Sequence, residues 1–292
     1  MTRVGLIAKR GLEQASGVLA ELAGWLEARS LQPVFETDTA RLAGVPAGRS
    51  IVSRDELPRV CDLIVALGGD GTFIGVAGRI ASAGTDVPIL GVNFGSLGFL
   101  TEITLPELYE ALETTLAGRA VIETRTMLAA RTARAGAPFA DHIVLNDIVI
   151  TKAALSRIIE MEVSVGEQVV TRVRADGLII ASPTGSTAYN LAAGGPIVHP
   201  AVDAMVLTPI APHTLTNRPV VISGDSEVHV RPIMADDDEM FVTFDGQSGF
   251  PLRPGDRVTV RRAPQPIRIV KSAHRSYFDV LREKLKWGGD NR

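Results

Sequence analysis

The stretch Leu67-Gly68-Gly69-Asp70-Gly71-Thr72 has residue types and spacing suited to chemistry on a phosphate. Glycines without a Cβ let the backbone come close to an anion, and the free N–H groups of a helix start point at it. Asp70 is the unusual member, because a carboxylate is a poor direct ligand for phosphate oxygens of like sign. Three roles fit it: accepting a proton from an attacking hydroxyl, holding a metal that bridges phosphates, or capping a helix. The turn has neither the lysine of a Walker loop nor the spacing of a dinucleotide fingerprint.

A second cluster runs Ala175-Asp176-Gly177-Leu178-Ile179-Ile180-Ala181-Ser182-Pro183-Thr184-Gly185-Ser186-Thr187-Ala188-Tyr189. A strand leads here into small hydroxyl residues and glycine around an expected helix start, which suits either a ribose or phosphate held through N–H and O–H groups or a plain capped helix. Asn146-Asp147 and Asp245-Gly246-Gln247 are two further polar pieces at strand ends.

The elements that must position these residues divide the chain in two. Val4 to Ala8, Pro33 to Glu36, Leu63 to Ala66 and Pro88 to Asn93 read as buried strands, with helices over Glu13 to Ala28, from Phe73 onward and over Leu105 to Leu116. Such alternation implies a parallel sheet whose ligands sit beyond the C-terminal ends of its strands, where both the Asp70 turn and Gly95-Ser96-Leu97-Gly98-Phe99-Leu100 lie. Thr37 to Ser53, polar with Gly and Pro, reads as a loop. After residue 118 the pattern changes to short strands: Glu123 to Thr132, His142 to Thr151, Ile158 to Val165, Gln168 to Val173, Leu178 to Ser182, Pro219 to Ile222, Glu227 to Arg231, Met240 to Phe244 and Arg257 to Arg262. The expected architecture is an α/β N-terminal domain with a parallel sheet (1–118), a β-rich, largely antiparallel C-terminal domain (119–272), and a tail (273–292) packing back on the body. In that tail Phe278, Leu281 and Leu285 share one helix face. The run Asp236-Asp237-Asp238-Glu239 reads as a solvated hairpin tip.

Composition sets the class. Hydrophobic residues make up 46% of 292, which excludes general disorder, and a net charge of -3 gives no global attraction to nucleic acid or an anionic membrane. No apolar stretch is long enough for a membrane span, and the single Cys61 is expected to pack in the core of a cytoplasmic protein. The histidines His142, His199, His229 and His274 lack metal spacing.

Taken in order, Gly68-Gly69-Asp70-Gly71-Thr72, Asn146-Asp147, Asp176-Gly177, Pro183-Thr184-Gly185-Ser186-Thr187-Ala188-Tyr189, Gly194-Gly195-Pro196, Pro209-Ile210-Ala211-Pro212-His213-Thr214-Leu215 and Asp245-Gly246-Gln247 resemble the NAD kinase family over about two-thirds of the chain. The first motif is shared with lipid and sphingoid kinases; the run from Asp176 to Pro196 is the specific one. The resemblance implies transfer of the γ-phosphoryl of ATP to the 2′-hydroxyl of the adenosine ribose of NAD, with Mg²⁺ or another divalent metal carried by the nucleotide. It implies Asp70 as proton acceptor and Gly71 against the dinucleotide. Asn146 and Asp147 would hold the adenosine side and Asp176 the nicotinamide side. Thr187, Ala188 and Tyr189 would line the adenine and its ribose and carry the binding of the C-terminal, dinucleotide-holding domain, with Asn190, Leu191, Ala192, Arg157, Arg174 and Gln247 as further substrate contacts. Asp147 stands where the family often has Glu, one methylene longer. A homodimer or homotetramer is implied as well. A lipid kinase of the same superfamily and a non-catalytic NAD(P) sensor are the alternatives; the Asp176 to Tyr189 run speaks against the first and the presence of Asp70 against the second.

Overall fold

A computed structural model describes residues 2–46, 48–153, 158–214, 216–234 and 239–287. Arg157, Leu215 and the acidic residues Asp236, Asp237 and Asp238 lie outside them. The chain forms two compact units, Met1–Thr124 with Ile267–Arg292, and Arg125–Pro266.

The first unit is built on a mainly parallel sheet in the order Ser50–Val52, Gln32–Glu36, Arg3–Ala8, Leu63–Gly68, Ile89–Asn93, Ile267–Val270, Ile122–Arg125, with Ile103–Thr104 also on Ile89–Asn93. Leu63–Gly68 is buried along its whole length, as a strand covered on both faces must be. The helix Ala15–Glu27 buries Leu19, Leu22, Ala23 and Leu26, one stripe at helical spacing. The helix Asp70–Ala83 buries Phe73, Ile74, Val76, Ala77 and Ile80 and stops at Gly84, whose φ of +66° suits a residue without a Cβ. It lies close on the sheet: a Cβ on Gly91 would stand 2.7 Å from the Phe73 ring, so this glycine lets the helix that begins with Asp70 pack down.

In the second unit two six-stranded antiparallel sheets enclose one apolar core. One runs Val220–Ser223, Ala204–Ile210, Gly177–Ala181, Asp147–Lys152, Met240–Phe244, Ser248–Leu252, and the other Gln168–Ala175, Ile159–Val165, Val228–Ile233, Asp256–Arg262, Leu128–Arg134, Ala137–Val144. Alternation decides which side chains meet there: Ile148 and Ile150 join Met161, Leu178, Ile180 and Val230, while Val149 faces the other way onto Ile179, Ala181 and Val206.

Several expected elements differ. Thr37–Leu42 is a helix and Ser50–Val52 an edge strand, where a loop was expected; the Glu36 carboxylate accepts from the Thr39 N–H at 3.0 Å and so starts that helix. Glu123 to Thr132 is two strands in different sheets, and His142 to Thr151 breaks at Leu145-Asn146. Ala204–Ile210, Ser248–Leu252 and Ile267–Val270 are additional strands. The last of these, inside the expected second domain, instead joins the first unit's sheet through its parallel pairing with Ile89–Asn93. The tail helix Tyr277–Leu285 buries Val280 and Leu281, leaving Phe278 exposed. Cys61 is buried as expected, and burial pushes its thiol up to about 12, far from reactive.

Candidate active site

In the first unit Asp70 is a latch between two glycine-rich turns. It opens its helix, but Gly69 is the N-cap and no side chain caps it, so Asp70 is not the capping residue. Its Oδ1 accepts from Leu100 N at 3.1 Å, Thr101 N at 3.1 Å and Thr101 Oγ1 at 3.0 Å, and Oδ2 accepts from Phe99 N at 2.8 Å. A carboxylate oxygen has two lone-pair sites, so Oδ1 is saturated and Oδ2 keeps room for one more donor. Asn93 braces the turn, its amide donating to Ser96 O at 2.8 Å and Thr101 Oγ1 at 3.0 Å. Gly98 is required here: a Cβ on it would stand 2.1 Å from Asp70 Oδ1.

Beside this, at the C-terminal ends of Arg3–Ala8 and Gln32–Glu36, is a cavity of about 410 Å³ lined by Ala8, Lys9, Arg10, Gly11, Asp38, Thr39 and Leu42. Asp38 is neutralised by Arg10 and Arg41, each at 2.9 Å, while Lys9 has no ion-pair partner among the described residues. The cavity is therefore net positive. Its bed is held by Thr39, whose Oγ1 accepts from Ala8 N at 2.9 Å and donates to the buried Glu36 at 2.8 Å.

In the second unit the break at Leu145-Asn146 is made by Asp245. Its carboxylate accepts from Leu145 N at 2.8 Å, Asn146 N at 2.7 Å and Asp147 N at 3.1 Å, and it sits at φ +51° before Gly246 at +62° in the hairpin joining Met240–Phe244 to Ser248–Leu252. The same corner is gripped from the other side by Ser182, whose Oγ donates to Leu145 O at 2.5 Å and whose N–H donates to Asn146 O at 2.8 Å. Gly185 lies flat on it, since an added Cβ would be 2.1 Å from the Asn146 carbonyl oxygen.

Asp147 is 5% exposed, and burial, followed by the charge of Asp245, pushes its carboxyl up to about 7. Asp245 is raised by its own burial, against which its three backbone N–H bonds act. The fully buried Ile148 and Ile150, at about 1.5–3 kcal/mol each, offset the penalty of keeping an acid beside them. Because the folded state binds this proton more tightly than the unfolded chain, the contribution of Asp147 to stability is full below about pH 4 and is lost as pH rises through about 7. Asp147→Asn should therefore gain stability relative to the parent between about pH 5 and about pH 8, read by urea melts of both proteins at each pH. Parallel curves would show that Asp147 titrates normally.

The run after Ser182 is a single 3₁₀ turn, Thr184–Thr187, and a one-turn helix, Tyr189–Ala192. Asn190 is completely buried: its amide donates to Ser186 O at 2.9 Å and Pro196 O at 3.0 Å and accepts from Thr208 Oγ1 at 2.6 Å. This accounts for Gly195, where a Cβ would stand 2.0 Å from Asn190 Oδ1. Tyr189 and Ala192 are exposed, and Thr187, Ala188 and Leu191 half-exposed. Asp176 pairs with Lys152 at 3.0 Å, and the exposed Arg174 faces Glu160 at 3.9 Å.

Two family models match, one described as the ATP-NAD kinase N-terminal domain over residues 4–120 and one as the ATP-NAD kinase C-terminal domain over residues 145–272. The chain belongs to the NAD kinase family. It is 49% identical to the NAD kinase of Geobacter sulfurreducens over 288 residues, 99% of each chain, and 41% identical to that of Magnetococcus marinus over 98% of this chain and 94% of the relative. Among solved structures, yeast NADH kinase complexed with NADH superposes with a TM-score of 0.87 at 23% identity, covering 100% of this chain and 89% of that one. An Archaeoglobus fulgidus NAD kinase in complex with ATP gives 0.76 at 24%, covering 97% and 99%. These two establish the fold. The reaction is the NAD kinase reaction, phosphorylation of the adenosine ribose of NAD at the expense of ATP.

For an NAD kinase the placement of the expected site residues is mixed. Asn146 and Asp147 come together with Gly185 and, through Asp245, with the hairpin that carries the exposed Gln247. Asn190 departs from expectation, because every polar atom of its side chain is spent inside the fold and it shapes the turn rather than facing a ligand. Two of the hydroxyls expected to hold ribose or phosphate are also committed: Ser186 Oγ lies 2.6 Å from Pro183 O and accepts from Val198 N at 3.0 Å, and Thr187 Oγ1 donates to Thr184 O at 3.2 Å. Sequence reasoning missed the Phe99 to Thr101 donors, whose signal is only a glycine turn after a buried strand, and the Lys9 cavity, whose signal is two cations just past the first strand.

Proposed function

We propose that Asp70 takes the proton from the 2′-hydroxyl as the γ-phosphoryl of ATP arrives. The supporting observation is its carboxylate, fixed by four donors with one lone pair of Oδ2 left over. Phosphoryl transfer asks for aligned oxygens, neutralised charge and a base, and a rotationally locked carboxylate meets the last demand without reorganising. The second unit holds the dinucleotide: Asn146 and Asp147 toward the adenosine, Asp176 toward the nicotinamide, and Thr187, Ala188, Tyr189, Leu191 and Ala192 at the adenine and its ribose, with Arg157, Arg174 and Gln247 as further contacts. Gly71, exposed at the helix start, lies against NAD.

Among the described residues no group of three or more His, Cys, Asp or Glu is arranged to hold a metal, so a resident site made of side chains alone does not fit this donor set. A magnesium ion carried by ATP would supply the neutralisation of phosphate charge that the transfer needs. The setting is cytoplasmic and the working form a homodimer or homotetramer; the lone unpaired thiol suits a reducing compartment, and no helix among the described residues is long and apolar enough to cross a membrane. A coupled assay of NADP formation should give activity with ATP that falls to background in excess chelator and returns with added magnesium. Turnover undiminished by chelator would count against metal-assisted transfer.

A further inference from the structure

We infer that Lys271 and Glu102 form a positioning device for Asp70, so that a segment 200 residues downstream sets the aim of the proposed proton acceptor. The inference rests on the reading of Asp70 given above. Lys271 directly follows the strand Ile267–Val270, and its N–H donates to Val121 O at 3.0 Å, which fixes its backbone. Its side chain is only 10% exposed, and its ammonium contacts Glu102 Oε1 and, at 3.3 Å, Glu123 Oε2. Glu102 is itself 4% exposed, and its Oε2 has no hydrogen-bond partner. Four residues on, Arg275 donates to the Glu102 carbonyl at 3.1 Å while gripping Glu107 at 2.8 Å. Residue 102 is therefore held at its side chain by one cation and at its backbone by another.

Its neighbour Thr101 supplies two of the four donors that fix Asp70, through N–H and Oγ1 on the same oxygen. A carboxylate this deeply buried depends on its counter-charge. Without the Lys271 ammonium, Glu102 swings toward water, and without its own charge it is no longer drawn to Lys271; in either case the backbone that Glu102 shares with Thr101 through their peptide bond is free to shift, and the Thr101 donors shift with it. An Asp70 carboxylate that loses both Thr101 donors keeps only Leu100 N and Phe99 N and is free to turn, and misplacement of a base by about 1 Å is enough to lower turnover by up to about a hundredfold.

Two variants test this in the full chain. Lys271→Met removes the ammonium and keeps most of the stem; Glu102→Gln removes the charge at constant shape, with Glu123 still present for Lys271, and guards against a Lys271→Met protein that does not fold. Both should lower kcat by about ten- to a hundredfold, with KM for NAD and for ATP within about twofold. The decisive readout is a cycle with Asp70→Asn: once the carboxylate is gone, either change should cost less than about twofold more, because it acts only through Asp70. Losses that multiply in the Asp70→Asn background, or kcat within about twofold of the parent in folded Glu102→Gln, overturn the inference. A fully active Asp70→Asn enzyme would overturn the proton-acceptor reading itself, which separates the two failures.

Discussion

Asp70→Asn should lower turnover by about a hundredfold to ten-thousandfold while NAD affinity changes little, the usual worth of a general base. At about 1.36 kcal/mol per tenfold this is about 2.7–5.4 kcal/mol on the barrier. The exchange is less silent structurally than the residue types suggest. An asparagine oxygen can still accept the three donors at Oδ1, but its NH₂ would then face the Phe99 N–H, donor against donor. A modest loss of thermal stability should therefore accompany the loss of turnover, on the order of 1–3 kcal/mol for one orphaned half-buried donor. Turnover near the parent's would remove the base role and leave Asp70 only its hold on residues 99–101. Because the helix is capped by Gly69 and not by Asp70, a capping role is already gone.

Gly185→Ala should produce the second large effect, a rise in KM for NAD of at least about tenfold together with destabilisation. The new Cβ would meet backbone and not a movable side-chain end: Asn146 O at 2.1 Å, its C at 2.5 Å and its Cα at 2.7 Å. Overpacking of this kind typically costs about 1–3 kcal/mol, and relief comes only by parting the turn after Ser182 from the Leu145-Asn146 corner. Those are the two segments proposed to share the adenosine, so their separation should appear as lost NAD affinity with KM for ATP much less affected. Unchanged KM for NAD in a measurably destabilised variant would show that the corner does not touch the dinucleotide.

The parts of the fold legible in the sequence are those whose causes are local. The buried run Leu63–Gly68, the glycines after it and the apolar stripe of Asp70–Ala83 each announce themselves within one turn or strand. The partners of Asp70 do not, because Phe99, Leu100 and Thr101 lie 29 to 31 positions away and donate backbone N–H groups, which every residue type possesses. The same holds for the corner at Asn146. His142 to Thr151 looks like one strand until Asp245, about a hundred positions on, pulls three successive N–H groups to itself. Ala204–Ile210 was hidden by Pro209, which a central strand tolerates here opposite Leu178. The asparagine in the specific run after Asp176 was legible as important, but its buried, fully bonded amide gives it a different job from the one the motif suggested.

The strand Ile267–Val270 occupies a place between Ile89–Asn93 and Ile122–Arg125, yet the whole of Arg125–Pro266 is translated before it. On the ribosome the parallel sheet thus waits with a gap: Ile103–Thr104 already covers the Val92-Asn93 end of that edge, but the end at Ile89 keeps unpaired N–H and C=O groups until some 140 further residues have emerged. The second unit, contiguous in sequence, has no such wait. Synthesis therefore imposes an order of maturation, in which the unit proposed to hold NAD is complete while the sheet beneath Asp70 is still short of one strand and of Lys271. A nascent chain stalled before residue 267 would carry an adhesive sheet edge, a natural target for a chaperone.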